Sequence, residues 1–73
     1  MNWFKKMRTK KELTQKAVAH AVGLKHSGNV SKWEQGLAVP SMDKIPEIAK
    51  CFGCSQEETA KQLIRLKKER LGK

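Results

Sequence analysis

The apolar residues of this chain recur at intervals of three and four positions, which is the period of an α-helix. A strand would show a sustained alternation of β-branched or aromatic residues with polar ones, and the sequence contains no such alternation. The pattern therefore predicts an all-α bundle of five short helices. The inward-facing sets are Phe4, Met7 and Leu13; Val18, Ala19 and Val22; Val30 and Trp33; Met42, Ile45, Ile48, Ala49 and Phe52; and Ala60, Leu63, Ile64 and Leu71.

Helix-starting and helix-ending residues flank these apolar sets. The first helix is predicted over about residues 2–12. The fourth carries Pro46 about one turn in, where the missing N–H predicts a local kink or a delayed start. Ser55 and Glu58 have the spacing of a capping box for the fifth helix. The predicted N-caps of helices two to five are Thr14, Ser27, Ser41 and Ser55, and the glycines predicted to end helices two to four are Gly23, Gly36 and Gly53.

The net charge of +9 is concentrated at the two ends of the 73-residue chain. Residues 1–16 and 61–73 each carry six bases and one acid, whereas the 44 residues between carry four bases and five acids. Such a balance indicates a polyanionic partner: nucleic acid, an anionic membrane surface or an acidic protein. The length predicts one domain over 1–73, with a core of about 4–58 and a basic C-terminal helix or tail over 59–73. A chain of this length is too short to form the concave pocket of most enzymes, so no enzyme is predicted.

Helices two and three have the composition of a helix-turn-helix. Ala19 is a small residue for helix contact, Gly23 lies in the turn, and Val30 and Trp33 fix the second helix against the first. With those two turned inward, the outward face carries no acid and is suited to the DNA major groove. Its members are Gly28, Ser31, Lys32 and Gln35, with Asn29 on the flank.

From about Phe4 to Glu58 the sequence resembles the Cro/repressor-type (lambda-repressor-like, xenobiotic-response-element) helix-turn-helix domains. Each matching piece is common alone, whereas the ordered set is specific. The pieces are Arg8; Leu13, Thr14 and Gln15; Ala19; Gly23; residues 30–36 (Val-Ser-Lys-Trp-Glu-Gln-Gly); Pro40 and Ser41; and Ile48, Ala49, Lys50, Phe52 and Gly53.

The resemblance implies a sequence-specific repressor of double-stranded DNA that binds a palindromic operator as a homodimer. It also implies a structural ion pair between Arg8 and Glu34, and a Gln15 that contacts phosphate and braces the recognition helix. The base-reading candidates are His26, Ser27, Gly28, Asn29 and Lys32; the phosphate candidates are Gln15, Lys16, Lys25, Ser31 and Gln35.

Three departures from the family pattern matter. Val30 lies seven residues after Gly23, one more than usual, which leaves the helical phase of residues 25–29 open. Glu12 replaces the glycine that ends the first helix in the family. The apolar segment 37–39 replaces an often basic loop, so phosphate contacts shift elsewhere or this loop joins a dimer interface.

Several alternatives remain open. The same fold serves antitoxin or anti-repressor modules that bind a protein partner, and a charge-only binder of RNA or membranes is a further interpretation. Dimer contacts could use Leu37–Val39, the last helix, or the Phe52–Cys54 corner, which the resemblance favours.

Cys51 and Cys54 have redox or zinc-ligand spacing, but small apolar residues occupy these positions in the family, so we expect packing roles for both. No catalytic residue, metal or cofactor is predicted, and the expected location is cytoplasmic, at the nucleoid when DNA is bound.

Overall fold

The computed structural model describes residues 2–71, and the side chains of residues 2–69. Within that range it contains five α-helices, one 3-10 turn and no strand, which confirms the predicted all-α class. The helices are α1 (Trp3–Lys10), α2 (Gln15–Ala21), α3 (Gly28–Gln35), α4 (Ile45–Phe52) and α5 (Gln56–Leu71), and the 3-10 turn covers Met42–Lys44. None of the helices in this part of the chain is long and apolar enough to cross a membrane.

The first helix is shorter than the predicted 2–12, because the chain turns sharply after Lys10. Glu12 adopts a φ of +56°, the left-handed conformation that usually belongs to glycine. This is the position where the family has a glycine, so the backbone geometry is kept although the residue differs. Leu13 then lies in the connection to α2, half-buried against the core.

Two of the four predicted N-caps are made by the expected side chains. Thr14 Oγ1 accepts from Ala17 N at 3.0 Å, and Ser55 Oγ accepts from Glu58 N at 3.0 Å. Ser27 occupies the predicted N-cap position of α3, and Ser41 precedes the 3-10 turn rather than α4, but neither side chain bonds a helix N–H. Ser27 already has helical backbone angles (φ −80°, ψ −3°), and a residue in that conformation does not aim its side chain at the following N–H groups.

The predicted delayed start at Pro46 is confirmed. Residues 42–44 form the 3-10 turn, and α4 begins only at Ile45, which places the proline in the first turn, where it removes no helical hydrogen bond. The same shift takes Met42 out of α4. Its side chain is 47% exposed, so its predicted inward position is wrong.

All four aromatic residues of the chain lie in one cluster that joins α1, α3 and α4. Phe4 stands at its centre, with ring centroids 5.4 Å from Trp33 and 6.2 Å from Phe52. Trp3 contacts both phenylalanines edge to face. Trp33 is 5% exposed, which confirms that it is a core residue and leaves it no surface on which a base could stack.

The last helix packs against α4, and its buried residues extend the core past residue 58. Thr59 and Leu63 are fully buried, and Leu66 is half-buried against the same cluster. Ile64 is 44% exposed, so its predicted inward position is wrong; a 100° step per residue places it beside Leu63 and outside the contact with α4. The side chain of Leu71 lies outside the described residues.

Candidate nucleic-acid interface

The connection between α2 and α3 absorbs the additional residue that separates Gly23 from Val30. Gly23 has a φ of +79°, and the N–H of half-buried Leu24 bonds the carbonyl of Ala19 at 2.8 Å, which closes the end of α2. Since α3 begins only at Gly28, the longer spacing falls before the helix. Val30 is 1% exposed, so the phase of α3 is fixed by its burial.

The outer side of this connection and of α3 forms a shallow groove of about 370 Å³, hereafter the α3 groove. Four of the five base-reading candidates line it, together with one phosphate candidate. The lining carries two lysines and no carboxylate, so it presents positive charge and hydrogen-bonding groups to a polyanion. Its residues are Leu24, Lys25, His26, Gly28, Asn29 and Lys32; Ser27 is half-buried and outside the lining.

Gly28 is the one residue of the α3 groove lining that has no side chain. It is exposed, and a Cβ built on it would meet no protein atom within 4 Å. The fold itself therefore does not require a glycine here. A missing side chain matters at this position when another molecule approaches the backbone closely.

The phosphate candidates are spread over α2, α3 and the connection between them. Gln35 Nε2 donates to Ser31 Oγ at 2.8 Å, which links two of them along one side of α3. Lys16 and Lys25 are exposed. Gln15 is half-buried at the start of α2, and its Nε2 donates to Glu34 Oε1 at 3.2 Å. The structure thus shows Gln15 bracing α3 from α2.

A single carboxylate, that of Glu34, holds three helices together. Arg8 on α1 donates to it twice, through Nε at 2.6 Å and Nη2 at 3.1 Å, and Gln15 donates from α2. The remaining Arg8 nitrogen, Nη1, bonds the carbonyl of Leu13 at 3.0 Å, which fixes the connection between α1 and α2 as well. The side chains of Arg8 and Glu34 are only 16% and 4% exposed.

This network sets the ionisation of both partners. Burial of the Glu34 carboxyl opposes its charge, but the hydrogen bonds from Arg8 and Gln15 outweigh that cost, and the pKa of Glu34 lies below its ordinary value. The hydrogen bond to Glu34 raises the pKa of Arg8. The charged forms of both partners are therefore favoured, and both oxygens of the Glu34 carboxylate accept from protein donors.

Two lysines lie near the ends of helices. Lys44 Nζ donates to the carbonyl of Val22 at 2.9 Å, beyond the last turn of α2. The exposed Lys11 has its Nζ 3.3 Å from the position that a Cβ on Gly53 would take, at the C-cap of α4. Cations are favourable at such carboxyl ends. Sequence reasoning missed both of these approaches between residues far apart in the chain.

Cys51 and Cys54 are free thiols, half-buried and packed against the core. Burial raises the pKa of the Cys51 thiol, which favours the uncharged form. Cys54 Sγ lies 3.2 Å from the hydroxyl oxygen of buried Thr59, between the end of α4 and the start of α5. Among residues 2–71, no three His, Cys, Asp or Glu side chains are gathered into a metal-binding group.

Asn2 is the other contact residue that sequence reasoning missed. Its side chain accepts from Lys5 N and so caps α1, and its amide nitrogen donates to the carbonyl of Trp33 on α3. The cap was recognisable, because asparagine is a preferred residue just before a helix. The contact with Trp33, 31 residues away, had no signal in the sequence.

Comparison with known proteins identifies the family. A family model described as Helix-turn-helix matches residues 4–59, which include α1 from Phe4 onward, α2 to α4, the α3 groove and the first turn of α5. No curated protein and no solved structure gives a match. The chain therefore belongs to the Cro/C1-type helix-turn-helix family of DNA-binding regulators.

Proposed function

We propose that this protein is a transcriptional repressor that binds a palindromic operator as a homodimer, with α3 of each protomer in the major groove. The observation that carries the proposal is the α3 groove, which combines two lysines, a histidine and an amide with no carboxylate. The opposite side of the same helix is locked in the core by Val30 and Trp33. An α-helix fits the major groove, where such groups recognise base edges. In the cytoplasm, at the nucleoid, the protein would repress by occupying a promoter and excluding polymerase.

Sequence reading is assigned to the end of the α2–α3 connection and the first half of α3. Asn29 can bond an adenine through both its amide oxygen and its amide nitrogen, and Lys32 can donate to O6 and N7 of a guanine, each contributing about 1–3 kcal/mol of discrimination. Gly28 would let the helix approach the bases closely. The base-reading set under this proposal is His26, Ser27, Gly28, Asn29 and Lys32.

Phosphate contacts supply affinity without sequence information. Gln15 Nε2 carries two hydrogens, so it can bond Glu34 and a phosphate together. The exposed bases of the two chain ends add to these contacts through counterion release. The proposed phosphate-contacting set is Gln15, Lys16, Lys25, Ser31 and Gln35.

The proposed dimer would place the two α3 helices in successive major grooves, about 34 Å apart. Of the three candidate dimer surfaces, the corner at residues 52–54 offers little apolar area, since Phe52 is 1% exposed. The loop residue Leu37 is 59% exposed and Ile64 of α5 is 44% exposed, which favours the loop or the last helix over the corner.

Selection of bound duplexes from random DNA tests the proposal directly. A palindromic motif with half-sites one helical turn apart supports it, and its affinity should exceed that for nonspecific DNA by about 4–10 kcal/mol. Lys32→Ala should then change the preference at one base pair of each half-site. Lys50→Ala removes the same charge from an exposed position on α4, outside the α3 groove, and should leave the preferred sequence unchanged.

A protein-interaction role, as in an antitoxin or anti-repressor, is the second candidate. The exposed apolar side chains of Leu37 and Met42 flank the connection from α3 to α4, and a protein partner could cover them. Absence of any enriched DNA motif, with binding that vanishes at moderate salt, would contradict the repressor proposal and leave this candidate or a charge-only binder.

A further inference from the structure

The side-chain amide of Asn2 holds two helices at once. Its Oδ1 accepts from Lys5 N at 3.2 Å, which caps the first turn of α1. Its Nδ2 donates to the carbonyl oxygen of Trp33 in the last turn of α3. Asn2 precedes residues 4–59, which match the family, so the family resemblance assigns it no role.

The carbonyl that receives this bond needs a partner. The last carbonyls of a helix have no intrahelical donors, and an unpaired one costs stability where water has poor access. At the end of α3, Leu37 N bonds the carbonyl of Lys32 at 2.9 Å, while Gly36 N reaches the carbonyl of Trp33 only at 3.3 Å. Asn2 therefore completes the bonding of a carbonyl that the helix end satisfies poorly.

The N-cap of α1 and a residue within α1 hold two successive residues of α3. Asn2 bonds the backbone of Trp33, and Arg8, six residues further along, binds the side chain of Glu34. At a rise of 1.5 Å per residue, these positions on α1 are about 9 Å apart. Two separated attachments fix the rotation of α3 relative to α1, which one attachment cannot do. The N-terminal end of α3 has no side-chain cap, so the orientation of α3 depends on these attachments, on the bond from Gln15 to Glu34 and on core packing.

We propose that Asn2 is a positioning residue for DNA reading: its bond to Trp33 sets the angle at which α3 presents the α3 groove. The effect on DNA reading rests on the proposed function, whereas the bond from Asn2 to Trp33 is present in the protein without DNA. Without this bond the last turn of α3 is held only by Arg8, Gln15 and the core contacts, so the angle of α3 varies more. Base-edge contacts, which require close alignment, are then weakened, while phosphate contacts adapt.

The test separates the two roles of Asn2 by substitution. Asn2→Ser keeps a side-chain oxygen that caps α1 about as well as asparagine, but it has no amide donor that reaches Trp33. Asn2→Ala removes both functions. The first readout is amide hydrogen exchange in the free protein. In Asn2→Ser, exchange should stay as in wild type at Lys5, whose N–H bonds the capping side chain, and rise at least threefold at Gly36 and Leu37.

The second readout is the ratio of affinities for the selected operator and for unrelated DNA. Asn2→Ser should lower this ratio at least threefold while affinity for unrelated DNA stays constant, a result that a loss of stability alone would not give. Unchanged exchange at Gly36 and Leu37 would overturn the attachment. Raised exchange with an unchanged ratio would overturn the positioning role. If wild type shows no preferred DNA sequence, the proposed function and the role of Asn2 in DNA reading are both contradicted. The exchange data would then still show whether Asn2 holds the end of α3.

Discussion

Arg8 Nε lies 2.6 Å from Glu34 Oε2, and Nη2 of the same guanidinium lies 3.1 Å from Oε1, so the two side chains form a bidentate pair between α1 and α3. The chain contains a natural comparison. Arg65 and Glu69 are also an Arg–Glu pair, but they lie 3.7 Å apart and are 74% and 59% exposed. The difference in burial predicts very different contributions to stability.

Arg8→Ala should lower the free energy of unfolding by about 3 kcal/mol or more, because it leaves the Glu34 carboxylate buried without its main partner. Arg65→Ala should cost less than about 0.5 kcal/mol, as expected for an exposed pair one helical turn apart. Urea unfolding of both variants measures this. Equal losses would show that the buried pair has no special role.

The stability that Glu34 provides should depend on pH. Its pKa is lowered in the folded protein, so its contribution is complete above the ordinary value of 4.5 and is lost as the pH falls through the lowered pKa. Wild type should therefore exceed Glu34→Gln in unfolding free energy at pH 7, and the difference should shrink steadily below pH 4.5. A difference that stays constant from neutral to strongly acidic pH would contradict the assignment.

Glu12→Gly should stabilise the protein. Glu12 has a φ of +56°, which is strained for a residue with a side chain. Glu12→Ala is the matched control, because it removes the same charge and keeps the strain. We expect the glycine variant to be more stable than the alanine variant by about 1 kcal/mol after the entropy of the unfolded glycine is included. Equal unfolding free energies would show that this turn relaxes without strain.

Gly28→Ala should weaken operator binding without weakening the fold. The added methyl group meets no protein atom within 4 Å and favours the helix, so stability should stay equal or rise by up to about 1 kcal/mol. Against DNA the same group occupies the approach surface, and about 1 kcal/mol of affinity, close to fivefold, should be lost.

Gly36→Ala serves as the converse control for Gly28→Ala. It introduces a side chain at a φ of +76°, outside the lining of the α3 groove. Its stability should fall, while the folded fraction keeps its DNA affinity. Full operator affinity of Gly28→Ala would place this end of α3 away from the DNA.

Replacement of the exposed lysines of α5 should reduce affinity for all DNA sequences alike. Lys61, Lys67 and Lys68 are exposed, so changing them together to Gln should leave the melting temperature nearly unchanged. The slope of log affinity against log salt should become shallower by about 0.9 for each phosphate that the protein no longer neutralises. A change in the preferred sequence would instead mean that α5 affects how α3 is presented.

The sequence by itself determined the features that depend on neighbouring residues. Helical periodicity placed Val30 and Trp33 inward, glycines marked three helix ends, and Pro46 predicted a delayed start, because each reflects local backbone geometry and burial. The pairing of Arg8 with Glu34 spans 26 residues and came from family resemblance, since no local pattern contains it.

Only the tertiary structure decided contacts that depend on how helices cross. Asn2 reaches Trp33 because packing of the aromatic cluster brings α1 against α3, and Lys44 reaches Val22 because α2 packs against α4. The outward turn of Met42 likewise follows from where α4 begins. Periodicity shows which face a helix buries. Which neighbour covers that face depends on how all the helices pack together, and this is determined only in the folded chain.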